Sequence, residues 1–229
     1  QVEKRVQDFN KDNKKYSNNY NYNRFKEILK GICGIFVYLF FNFASGAIVS
    51  AMGVNVSELS QKQSALISMF ISFIVLAILI FLNWKTLKKN TKDYKSNWKG
   101  YLKRNVKYWV CSFFVMAACN LAISLIFNRV TSANDQTIRD LFDVLPIYII
   151  LQSALLAPIT EELVFRQSIR NIFKNKYLFI ILSGLIFGLM HIIISMESFS
   201  DILYIIPYSV PGCFFAYMLY KEDNVLVPI

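Results

Sequence analysis

The chain has 229 residues, 55% of them hydrophobic and only 17% charged, with 20 Phe and 13 Tyr, whereas a soluble domain carries roughly 25% charged residues. With its charges gathered into clusters, such a composition excludes a disordered chain, a secreted disulfide scaffold and an ordinary cytosolic enzyme. The net charge of +10 would suit nucleic acid, but the basic residues sit between long apolar runs, which points to a phospholipid surface instead.

Residues 1–27 are polar and rich in Asn, Lys and Tyr, with no apolar core of a signal peptide, and read as a polar cytoplasmic tail, either loose or a surface helix. Gly31–Met52 is a 22-residue run without a charge, long enough to cross about 30 Å of hydrocarbon as a helix. Further apolar runs follow at Ala65–Leu82, at Trp109–Phe127, at about Val144–Ile159 with Pro146 and Pro158 inside it, at Tyr177–Ile194, and at Ile202–Tyr220, broken by Pro207 and Pro211. None alternates as barrel strands do, so the expected fold is all-α: a polytopic transmembrane helical bundle of at least six spans. The first residue is Gln1 rather than Met, and Asn224–Ile229 looks like the opening of another apolar run. We therefore expect a piece, or a processed form, of a longer protein. Residues 28–139 form the expected N-terminal spans, and residues 140–229 a catalytic core.

Lys and Arg divide 22 to 3 between the two sides of these spans, and nine of the 22 lie in Lys85–Lys107. The positive-inside rule then puts the N-terminus and residues 85–107 in the cytoplasm, against an anionic leaflet. The four cysteines, Cys33, Cys111, Cys119 and Cys213, lie in apolar runs without framework spacing and read as buried free thiols.

Chemistry concentrates in Thr160-Glu161-Glu162-Leu163-Val164-Phe165-Arg166, because charge at membrane depth is costly and marks function. On a helix, Glu162 and Arg166 are spaced to pair, while Glu161 points about 100° away and is left to face a cavity. The plain alternative is a helix start capped by Thr160 with acids in its first turn. The only histidine, His191, follows Gly184 and Gly188, a GxxxG face that invites close helix packing. If the chain turns near Asn175, Glu161 lies 14 residues before the turn and His191 16 after it. An antiparallel helix pair then brings both to nearly the same depth, where a carboxylate and an imidazole can deprotonate a shared water.

Other membrane chemistries fit less well. One histidine is too few for an ordinary zinc site. The serine and aspartyl signatures GxSG and GxGD are absent, whereas a transporter stays open because the sixth span is broken. Glu161-Glu162-x-x-x-Arg166 followed by Phe187-x-x-x-His191 resembles the first two motifs of the CPBP family, the CAAX-protease and bacteriocin-processing (Abi) intramembrane glutamic endopeptidases. The resemblance covers about residues 140–229. It implies that Glu161 and His191 activate the attacking water, that Glu162, Arg166 and Phe187 assist or hold the site, and that neither metal nor other cofactor is needed. It also implies a later motif whose histidine and asparagine stabilise the oxyanion, and the sequence ends before any such histidine. The implied partners are the bilayer and a peptide or protein substrate: prenylated CAAX tails, bacteriocin leaders or signalling peptides, with self-immunity as a further role. The Lys, Asn, Ile and Phe bias points to a bacterial plasma membrane. The competing reading is a non-catalytic membrane or immunity protein that sequesters a peptide.

Overall fold

The computed structural model describes residues 2–127, 133–193, 196 and 199–229. Arg129 and Ile194, which enter the expected charge split and the fifth span, lie outside them, as do the side chains of the first 18 residues. All regular structure among the described residues is helical: α1 (Val2–Ala51), α2 (Gln61–Phe127), α3 (Ala133–Val144), α4 (Pro146–Leu151), α5 (Ala157–Glu161), α6 (Ile169–Ile172), α7 (Lys176–Ile193) and α8 (Ile205–Glu222). Two π-helical stretches, Gln152–Leu156 and Glu162–Ser168, join α4, α5 and α6 into one continuous rod. A helical membrane bundle is thus what the chain forms. Five helices are long and apolar enough to cross a membrane: Asn19–Ala51, Gln61–Phe127, Pro146–Ile172, Lys176–Ile193 and Asp201–Glu222.

The boundaries differ from the expected ones in instructive ways. The polar N-terminal segment is a helix rather than a loose tail, and it runs unbroken into the first apolar run. The expected second and third spans are a single 67-residue helix, α2. No Pro and only Gly100 falls within it, so nothing in its basic middle stops helix propagation. A straight helix would set Val75 and Ile123 about 72 Å apart. Yet Val75 lines a cavity with Glu161, Glu161 meets His191, and Ile123 packs on Ile192. Hence α2 folds back on itself. The reversal lies near residues 93–101, where Tyr101 donates to the Asp93 carboxylate and stacks on Tyr94.

The fourth span extends from Pro146 to Ile172 instead of closing near Ile159. Pro158 is absorbed because it directly follows the first π turn, where the regular hydrogen-bond ladder is already interrupted. The same arrangement places Thr160 inside the rod, which removes the helix-start reading of the diglutamate. The sixth span is not broken either. Pro207 falls in the first turn of α8, and the helix continues through Pro211. The cysteines are free, but they are not uniformly buried: Cys111 is exposed and the other three half-buried, as expected for apolar faces that meet lipid rather than protein.

The rod Pro146–Ile172 is the centre of the bundle. All seven residues of its second π stretch are buried, and α1, α2, α7 and α8 all pack against that stretch. The core around it includes Leu79, Leu156, Leu163, Val164, Ile169 and Phe179. On α7 the GxxxG face packs closely on α8: a methyl at Gly184 would lie 3.0 Å from the Ser209 carbonyl, and one at Gly188 2.7 Å from that of Ile205. Leaving both positions without a Cβ lets the two backbones approach.

Candidate active site

The central rod carries the diglutamate, and α7 carries the histidine. Their connection is the short stretch Phe173–Asn175, in agreement with the turn expected near Asn175. Asn175 accepts from the Leu178 N–H, which gives α7 a side-chain cap at its start.

Glu162 and Arg166 face inward. Their side chains are 5% and 0% exposed, with Arg166 Nη2 3.2 Å from Glu162 Oε1. The guanidinium lies over the ring of Phe187 at 4.4 Å and over that of Phe215 at 5.7 Å. A buried cation with one carboxylate and two aromatic faces is neutralised in place. Phe187 also packs edge-on against Phe165, so one ring fastens Arg166, the rod and α7 together.

Glu161 points elsewhere, as helix geometry requires. Its carboxylate lines a cavity of about 300 Å³ bounded by α1, α2 and the rod, and its Oε1 lies 4.0 Å from His191 Nε2. The imidazole is clasped between the Phe187 ring at 4.3 Å and the Tyr208 ring at 4.9 Å. Its Nδ1 is 2.9 Å from the Phe187 carbonyl oxygen. A carbonyl only accepts, so Nδ1 donates that bond and Nε2 is the ring nitrogen that faces Glu161. At 4.0 Å the carboxylate and Nε2 stand too far apart for a direct hydrogen bond.

The π stretch has local supports that the sequence did not announce. In a π turn some carbonyls lose their usual partners, and two hydroxyls replace them: Ser168 donates to Leu163 O at 2.9 Å, and Ser183 of α7 donates to Phe165 O at 2.5 Å. At the rod's C-terminal end Arg24 of α1 donates to the carbonyls of Asn171 and, at 2.5 Å, Ile172, where a cation complements the helix dipole. At the same end of the bundle Glu222 accepts from Arg104 at 2.8 Å and from Asn105 at 3.0 Å. Asn224 bonds both Asn90 and Asp93 there. Among the described residues no three His, Cys, Asp or Glu side chains are grouped as a metal would need.

These elements define a class: a multi-pass helical membrane protein with a carboxylate and an imidazole facing each other inside the bundle. Comparison with known proteins narrows it. Residues 143–229 match the family model described as type II CAAX prenyl endopeptidase Rce1-like, which bears out the resemblance read from the two motifs. The chain is 26% identical over 167 residues to "Putative membrane peptidase YdiL" of Bacillus subtilis (strain 168), covering 69% of this chain and 64% of that protein. It is 30% identical over 199 residues to an uncharacterized protein of Mycoplasma capricolum subsp. capricolum, covering 80% of this chain and 56% of that one. It therefore spans less than two thirds of the length of either relative. No solved structure matches.

Proposed function

We propose that this protein is an intramembrane endopeptidase that hydrolyses a peptide bond with a water activated by Glu161 and His191. The observation that carries this reading is the 4.0 Å approach of Glu161 Oε1 to His191 Nε2 from two different helices, at the wall of a cavity. The water is held by both acceptors, attacks the scissile carbonyl, and gives its proton to Glu161. Glu161 then protonates the leaving amine as the tetrahedral intermediate collapses, and His191 keeps the water oriented throughout. No covalent intermediate forms, and no metal enters any step. Glu162 and Arg166 act on the site through Phe187, as a neutral buried pair that sets the rod against α7.

The match to an Rce1-like model and the name of the Bacillus subtilis relative support peptidase chemistry. We place the protein in a bacterial plasma membrane with its N-terminus cytoplasmic, and assign it a peptide substrate, with bacteriocin or signalling-peptide processing or self-immunity as its role. The deciding experiment is a cleavage assay in membranes with the full-length protein and the peptide products of neighbouring genes. Processing by wild type and its loss in Glu161→Gln supports the enzyme. Binding of a peptide without processing, unchanged in Glu161→Gln, makes the protein a sequestering one instead.

A further inference from the structure

The cavity beside Glu161 is more polar than a membrane bundle requires. Asn42 and Ser45 on α1, Ser68 and Ser72 on α2, and Gln152 and Thr160 on the central rod all line it. A smaller cavity of about 100 Å³ shares Ser45, Ser68 and Ile71 with it and reaches Val56 and Leu59 in the connection between α1 and α2. Together they form a groove that leads from Glu161 to the α1–α2 connection. That is the end of the bundle away from Arg24 and Lys174, since α1 runs from Arg24, beside Ile172, up to Ser45. Polar side chains at this depth are costly unless something occupies their hydrogen bonds.

Two of them are short of partners. Gln152 donates its amide to Ser72 at 3.3 Å, but its Oε1 is buried with no protein partner. Thr160 is buried, and its hydroxyl, which in a helix commonly bonds back to the preceding turn, makes no hydrogen bond within the protein. Both residues line the cavity that Glu161 lines, so a small side-chain rotation brings either oxygen to an occupant. One can take an N–H and the other can give to a C=O, the two groups that an extended peptide presents.

We propose that this groove is the peptide-binding channel of the site, and that Gln152 and Thr160 hydrogen-bond the backbone of an extended, unlipidated peptide segment lying in it. An isoprenoid chain offers no donor or acceptor. Packed here it would leave the Gln152 carbonyl and the Thr160 hydroxyl without a partner in a water-free site. The proposal rests on the peptidase reading and gives it a substrate class: polypeptide without a prenyl group.

The test uses full-length protein in nanodiscs and a pool of randomised dodecapeptides, each with one Cys, offered free and after S-farnesylation. The free pool is expected to be cleaved with the higher kcat/KM. For one cleaved member, Thr160→Val and Gln152→Leu should each raise KM about tenfold with little change in kcat, and Thr160→Ser should restore it. In parallel, Ser68→Cys, with the four native cysteines changed to Ala, should react with a water-soluble maleimide and be protected by the free pool. Faster cleavage of the farnesylated pool, or unchanged KM in both variants, overturns the inference and leaves Glu161 and His191 as the reacting pair. An unreactive Ser68→Cys shows a dry groove and overturns it independently of any turnover. Cleavage of neither pool sinks the peptidase reading along with the channel.

Discussion

Glu161 and Glu162 are chemically identical neighbours with different fates. One faces a cavity and a histidine, and the other is locked under Arg166 and Phe187. Their substitutions should therefore fail differently. Glu161→Gln and His191→Ala are each expected to lower the cleavage rate by about 10²–10⁴, the contribution of general acid–base catalysis, with membrane abundance near wild type. The double variant should be hardly worse than either single one, because the two groups act on one water. Full processing by either single variant would remove the mechanism. Arg166→Ala should instead deplete the folded protein, since a buried carboxylate left without its cation costs about 3–5 kcal/mol; abundance in membranes and thermal melting in detergent report it. Activity should survive dialysis against a strong chelator. Loss of cleavage restored by added zinc would make this a metalloprotease. At this scale much was legible. The spacing of Glu162 and Arg166, the divergence of Glu161 and the common depth of Glu161 and His191 all follow from helix geometry on a known turn. Gln152 and Thr160 were not legible, because their role depends on what the other helices place opposite them. The serines at 45, 68 and 72 form a polar stripe in otherwise apolar runs, which is the sequence signal that could have pointed to the groove.

Among the elements, α7 and α8 form the tightest pair, through Gly184 and Gly188 on one side and Ser209 and Ile205 on the other. Gly188→Leu should push α8 off α7. Tyr208, stacked on the imidazole, moves with it. The expected result is a loss of cleavage together with about 1–3 kcal/mol or more of stability, read as a lower melting temperature. A conservative Gly188→Ala should fall between that variant and wild type. Apolar runs announced where helices lie but not where they end. Pro158 and Pro211 suggested breaks, and both are carried inside helical segments, the first directly after a π turn. Lys85–Lys107 looked like a connection between spans, yet a run without Pro and rich in Lys stays helical while it bends.

For the whole molecule, the basic residues gather at one end of the bundle: Arg24, Lys85, Lys89, Arg170 and Lys174 border one surface cavity or its rim. In the proposed orientation, which rests on the 22 to 3 division of Lys and Arg, this end faces the cytoplasm. Single cysteines introduced at exposed positions in 85–107 should be blocked by an impermeant thiol reagent only after the membrane is opened. Labelling from the outside of intact cells would invert the topology, and with it the side from which the groove is entered. Helix number and run number differ here, because α2 carries two apolar runs, Ala65–Leu82 and Trp109–Phe127, on either side of its reversal.

The π stretch Glu162–Ser168 also bears on how this site can be lost. A π turn accommodates one residue more than regular helix does over the same span. Deleting Leu163 would leave regular helix there and shorten the Glu162–Arg166 spacing from four residues to three, shifting the guanidinium from its place over the Phe187 ring even though every residue named in the chemistry is still present. The reading frame of this one helical turn is thus itself heritable information for the site, as vulnerable to a three-nucleotide deletion as to any change of a reacting side chain.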